Sequence, residues 1–217
     1  MTKIDKDSYG ALAIVYVCCL IVLALVSLTK ISWLIITVQA LVLIFAMWQT
    51  YFFRVPRRYP VGSSKIVTAP SDGKIVIAEN MVECEHLKKE CLQISTYMDF
   101  FDVHATFWPV SGTITYYKYS PGKHFFAFKP KASLENEHTC VCIRTPEGKD
   151  VVFKQIAGGF ARRIVCYAEV GMEVKAGDQC GIIKFGSRTD VFCPVGTDLR
   201  VNLTNRVRSC ETILAEL

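Results

Sequence analysis

The sequence predicts a mainly β domain carried behind an N-terminal pair of membrane-spanning helices. Three observations predict it. The first quarter of the chain is almost free of charge. Beyond it, short apolar runs alternate with Gly and Pro breakers. No long segment after Phe53 shows a helical period, so the remainder reads as strands and turns.

The helical pair comes first. Between Asp7 and Arg54 the only formal charge is Lys30, which leaves 22 uncharged residues from Ser8 to Thr29 and 23 from Ile31 to Phe53. About 20 apolar residues cross a bilayer as a helix. The pattern predicts spans over roughly 11–28 and 32–53, joined by a tight turn around Lys30. Trp33, Trp48, Tyr51, Phe52 and Phe53 fall near ends of the second span, where aromatic side chains favour the interface. A cleaved signal peptide fits 11–28 less well, because its apolar region is long and a second span follows at once. Lys3 and Lys6 precede the first span, and Arg54, Arg57 and Arg58 follow the second. The positive-inside rule then puts both ends in the cytoplasm, with residues 54–217 as a tethered domain on the inner face of the cell membrane.

The strands follow in order. Candidates are 65–67, 74–78, 92–97, 112–117, 139–144, 151–156, 163–167 and 201–203. Pro70-Ser71-Asp72-Gly73, Pro121-Gly122, Pro146-Glu147-Gly148 and Gly177-Asp178 separate them. Such spacing predicts a sandwich or barrel. Residues 169–183 have the form V-G-x-x-V-x-x-G-D-x-x-G-x-I. That resembles the repeated hairpin of barrel-sandwich hybrid domains, which speaks to fold and not to function.

Composition bounds the chemistry. Eight of the ten cysteines lie beyond the spans, with no Cys-x-x-Cys pair, so no zinc ribbon, redox motif or other metal site is expected. In a cytosolic domain they read as reduced thiols acting as small buried hydrophobes. The net charge of +5 fits a domain lying against an anionic leaflet, and equally a solvated basic surface; no nucleic-acid partner is expected. Of the four histidines, His86, His124 and His138 stand in polar or loop-like contexts and read as surface residues. His104 sits among aromatic and apolar residues, where a core histidine and a catalytic one look alike. Asp72 alone reads as turn chemistry, and Gly186-Ser187 alone as a bulge.

Taken together, four separated stretches change that reading. They are Pro70-Ser71-Asp72-Gly73-Lys74-Ile75-Val76, Asp102-Val103-His104 with Pro109-Val110-Ser111-Gly112 downstream, 155–165, and Phe185-Gly186-Ser187-Arg188 leading into 189–194. In that order they resemble the phosphatidylserine decarboxylase family, specifically its short membrane-anchored branch. The resemblance implies self-cleavage of the Gly186–Ser187 bond into a 1–186 β-subunit and a 187–217 α-subunit. Ser187 would become a pyruvoyl group that forms a Schiff base with phosphatidylserine, with no external cofactor. By motif, His104 would carry the proton and Asp72 would orient its imidazole, by the logic of a serine triad. Some members carry a second histidine where this chain has Phe107, so one histidine is expected to suffice.

Partners follow from the same resemblance. They are a phospholipid in the membrane and the two fragments of one chain; a homo-oligomer is compatible with it. The stretch 121–131 mixes Phe125, Phe126 and Phe128 with basic residues and reads either as an interfacial or acyl-entrance loop or as a hairpin with buried rings. Two alternatives stay open at this stage: an archaetidylserine decarboxylase, and a non-catalytic membrane-anchored adaptor built on the same barrel-sandwich hairpin.

Overall fold

The computed structural model describes residues 2–61, 64–123, 135–159, 163–184 and 187–217. The chain divides into two compact units, Met1–Arg57 and Arg58–Leu217.

The first unit is a helical hairpin. Strand β1 (Lys3–Ile4) is followed by a short 3-10 turn (Lys6–Ser8), helices α1 (Tyr9–Ser27) and α2 (Ser32–Phe52), and strand β2 (Arg54–Val55). β1 and β2 pair antiparallel and close the base of the hairpin. Lys30 takes a positive φ of 56° in the tight link, and Thr29 Oγ1 donates to the Val26 carbonyl to satisfy an end of α1. Both helices are long and apolar enough to cross a membrane, and only 6% of each apolar window is buried. Helices so apolar yet so little covered by protein fit a lipid surround.

The second unit holds β3 (Ile66–Thr68), β4 (Gly73–Glu83), β5 (Lys89–Met98), β6 (Ala105–Phe107), β7 (Gly112–Ser120), β8 (His138–Arg144), β9 (Asp150–Ala157), β10 (Arg163–Cys166), β11 (Glu173–Val174), β12 (Gln179–Lys184), β13 (Ser187–Pro194), β14 (Asp198–Leu199), β15 (Arg206–Val207) and β16 (Ile213–Glu216). One eight-stranded antiparallel sheet runs β11-β7-β8-β9-β13-β5-β4-β15. Two three-stranded sheets, β10-β12-β6 and β14-β16-β3, complete the domain. All three contribute to one apolar core that includes Val67, Ile75, Ile94, Phe153, Cys180, Val191 and Leu214. Trp108 meets Phe153 edge-on within it, with ring centroids 6.2 Å apart.

The order of this sheet puts β13 at its centre, between β9 and β5. Residues 187–193 are buried on both faces. Val191 and Cys193 join the main core, whereas Phe192 packs with Cys91, Cys140, Cys142 and Val152 on the other side, as the two-residue period requires. Arg188 and Asp190 share that second face as a fully buried ion pair, with Nε 2.9 Å from Oδ1 and Nη2 3.1 Å from Oδ2.

Three expectations are corrected. Residues 201–203 form no strand: Asn202 N–H donates to Asn205 Oδ1, Thr204 takes a positive φ, and the segment turns to bond Ile75. The 169–183 segment turns at Gly177 as expected, but its arms do not pair with each other. Glu173–Val174 pairs with β7 of the large sheet, while β12 pairs with β10 and β6. The motif is therefore a corner between sheets. Gly181 permits the close approach there, since a Cβ would lie 1.9 Å from the Val165 carbonyl oxygen.

The third correction is His138. It is buried, with Nδ1 at 2.7 Å from the Asn136 carbonyl oxygen and Nε2 at 3.1 Å from Glu85. Lys154 joins the same network, its Nζ 2.7 Å from Glu83 and 3.2 Å from Glu85. Glu83, Glu85 and Cys140 come close enough to hold a metal ion, but the Lys154 ammonium already supplies the cation. All ten cysteines are free thiols, and six of them are buried.

This network predicts an acid response. Burial alone would raise the Glu85 carboxyl, but the His138 hydrogen bond and Lys154 outweigh it and hold the group at about 2, from an ordinary 4.5. Burial would lower His138, yet Glu85 raises it above its ordinary 6.5. A depressed acid stabilises above its unfolded value and loses that effect as pH falls through the folded one; a raised base does the reverse. The pair contributes fully between pH 4.5 and 6.5. Thermal melts from pH 4.5 down to about 2.5 should show a steeper loss in the wild type than in Glu85→Gln. Parallel curves would mean that other carboxylates govern acid unfolding.

Candidate active site

The site is built around the first residue of the central strand. Ser187 lies opposite Ala157 of β9 and Met98 of β5. It is wholly buried, and its Oγ has no hydrogen-bond partner among the described residues. A buried hydroxyl without a partner is unusual enough to need a reason, since native interiors satisfy nearly all such groups. Gly186, the other half of the expected cleavage bond, lies outside the described residues, as do Phe125, Phe126 and Phe128.

His104 reaches the same region from another sheet. It immediately precedes β6, and its carbonyl accepts a hydrogen bond of 3.2 Å from Ile183 N–H on β12. Ile183 packs with Met98, Ala157 and Ile164. Met98 and Ala157 are the two cross-strand neighbours of Ser187. One small apolar cluster therefore joins the strand bonded to His104 to the strand end that carries Ser187. His104 is fully buried, and Nδ1 lies 3.1 Å from the Asp102 carbonyl oxygen. With Nδ1–H donated there, Nε2 carries the lone pair and serves as the basic nitrogen.

Asp72 is placed differently from the expectation. Its carboxylate is gripped by the Arg58 guanidinium, with Nη2 2.9 Å from Oδ2 and Nη1 on Oδ1. Ser209 adds its N–H at 2.8 Å and its hydroxyl at 3.0 Å, both to Oδ1. Among the described contacts Asp72 bonds Arg58 and Ser209 rather than His104, and the imidazole Nδ1 bonds the Asp102 backbone. The physical reason is donor supply, because a forked guanidinium plus two Ser209 donors saturates a carboxylate. Burial would raise the Asp72 acid, but Arg58 and Ser209 hold it below the ordinary range. Burial pushes the Asp102 acid up, and both Asp99 and Asp72 add to the rise.

The loop carrying Asp72 also touches the strand of Ser187. Ser71 Oγ and Thr189 Oγ1 lie 2.8 Å apart. Gly73 lets the same loop run close to β5: a Cβ there would stand 2.1 Å from the carbonyl oxygen of Tyr97, the residue before Met98, the register partner of Ser187. Arg58 and Ser209 were not among the residues singled out from sequence. Arg58 was counted with the basic residues flanking the second span, yet its side chain is only 7% exposed and its charge is engaged by Asp72. No local signal marks Ser209, whose partner is 137 positions away.

The family profile described as phosphatidylserine decarboxylase matches residues 45–215. A phosphatidylserine decarboxylase proenzyme of Amoebophilus asiaticus is 44% identical over 171 residues, covering 79% of this chain and 76% of that protein. The proenzyme of Parabacteroides distasonis is 47% identical over 167 residues, covering 76% of each chain. That of Bacteroides thetaiotaomicron is also 47% identical over 167 residues, covering 76% of this chain and 73% of the other. The order of motifs, the buried Ser187 and these matches along most of the length set aside the adaptor reading, and the chain belongs to the phosphatidylserine decarboxylase family.

Proposed function

We propose that the chain is a self-processing, membrane-anchored decarboxylase that converts phosphatidylserine to phosphatidylethanolamine and carbon dioxide. The observation that carries this reading is the fully buried Ser187 Oγ at the head of the central strand, without a hydrogen-bond partner among the described residues. His104 Nε2 takes the hydroxyl proton, and Oγ attacks the Gly186 carbonyl carbon. The peptide bond becomes an ester; β-elimination then releases residues 1–186 and leaves dehydroalanine at 187. Water adds, ammonia leaves, and residues 187–217 begin with a pyruvoyl group.

The residues present fit that group. A hydroxyl with no competing hydrogen bond among the described residues is available as a nucleophile, and its neighbours Met98 and Ala157 are apolar and buried. The pyruvoyl carbonyl supplies an electron sink for loss of carbon dioxide from a bound amine. His104 then delivers a proton to the carbon that lost the carboxylate. Asp72 acts as a positioning residue: fixed by Arg58 and Ser209, it holds the loop whose Ser71 meets Thr189. Phe125, Phe126 and Phe128 are kept as proposed lipid contacts. Lys3, Lys6, Arg54 and Arg57 support a cytoplasmic placement of the domain at the inner membrane.

The two fragments are expected to stay together, because β13 remains paired with both β9 and β5 after the cut. Intact-mass measurement under denaturing conditions tests the reading. It should find residues 1–186 and a 31-residue fragment whose N-terminus is blocked to Edman degradation. A fully active sample consisting of one uncut chain would overturn it.

A further inference from the structure

Two large apolar side chains stand exposed close to Ser187 in the fold. Phe100 is 41% and Phe101 69% exposed. They form the tip of the turn between Met98, the cross-strand partner of Ser187, and His104. The turn is not loose. Asp99 N–H donates to Asp102 Oδ2 at 2.9 Å, Asp102 N–H to the Asp99 carbonyl at 3.2 Å, and Phe101 N–H to Asp99 Oδ1 at 3.0 Å. Arg206 clamps both carboxylates, with Nη2 2.6 Å from Asp102 and 3.3 Å from Asp99. Two acids and an arginine thus hold two phenylalanines outward at an ordered tip.

We propose that Phe100 and Phe101 form an interfacial wedge that enters the lipid leaflet beside the reacting residue. This rests on the reading that the substrate is a bilayer lipid. The surroundings fit an anionic leaflet. Lys74 is exposed and directly opposite Arg206 in the β4–β15 register, and the Arg206 side chain is 63% exposed. Arg206 offsets part of the charge of Asp99 and Asp102, which would otherwise repel lipid phosphates more strongly. Rings that seek the interface, rimmed by basic groups, are the chemistry of a lipid-binding surface. The turn links Met98, the cross-strand partner of Ser187, to His104, so the wedge would hold a lipid at the end of the molecule that carries both. A lipid would then need only partial lifting from the leaflet to react.

The test uses the full chain in proteoliposomes containing phosphatidylserine. In Phe101→Trp, the emission added to that of Trp33, Trp48 and Trp108 should be blue-shifted and quenched by lipids brominated on the upper acyl chain. Added emission that stays water-like and unquenched overturns the wedge, whatever the enzyme does. The double variant F100S/F101S should cleave itself fully and lose about tenfold in activity on vesicles, while changing by less than about twofold on dispersed short-chain phosphatidylserine. Equal loss on both substrates would make the turn a structural element and sink the proposal. Insertion of the probe in Phe101→Trp, with no decarboxylation by the wild-type chain, would refute the enzymatic reading alone.

Discussion

Ser187→Ala should leave a single uncut chain of 24.4 kDa with no decarboxylase activity. The substitution removes one oxygen that has no hydrogen-bond partner among the described residues, so it strands no donor or acceptor. Ala also suits a fully buried strand position flanked by Met98 and Ala157. Folding should therefore be intact, which makes the chemical consequence clean. Without Oγ there is no attack on Gly186, no ester and no new carbonyl. Activity should fall by at least about 10⁶-fold, to the background of the uncatalysed reaction. Gel mobility, intact mass and carbon dioxide release check the three parts. Residual decarboxylation well above background in a stably folded, uncut variant would remove Ser187 from the mechanism.

The second large effect is expected at His104. A positioned general base typically contributes about 10²–10⁴-fold, so losing Nε2 should slow self-cleavage by that order. His104→Ala alone is ambiguous, because deleting a fully buried ring leaves a cavity. His104→Asn separates the two effects. Its amide nitrogen can replace Nδ1–H in the bond to the Asp102 carbonyl, while nothing replaces Nε2. The expected result is a folded chain, native by circular dichroism, that accumulates uncut over hours. Cleavage of His104→Asn at the wild-type rate would make His104 a core histidine and assign the proton to another group.

The reading of the membrane hairpin depended on charge placement alone, and helices at Tyr9–Ser27 and Ser32–Phe52 match it closely. Seven of the eight expected strands formed for a similar reason, since β-branched runs between Gly and Pro breakers have few other solutions. The failures share a cause. His138 looked like a surface residue because its neighbours Glu135, Asn136 and Glu137 are polar. Its burial depends on Glu85 and Lys154, which arrive from other strands. The 169–183 motif revealed its Gly turn but not that each arm joins a different sheet.

What the sequence by itself determined is the set of local properties: the two spans, the turns, the strands between them, and the motifs that resemble one family. These depend on residue period, backbone preference and charge within a few positions. What only the tertiary structure decided is the pairing of polar groups across the chain. Asp72 was expected on His104, yet Arg58 and Ser209 hold it, and the Asp102 backbone orients the imidazole. A carboxylate binds whichever donors packing brings within about 3 Å. That choice is made between residues 14 and 137 positions apart, where no sequence period reaches.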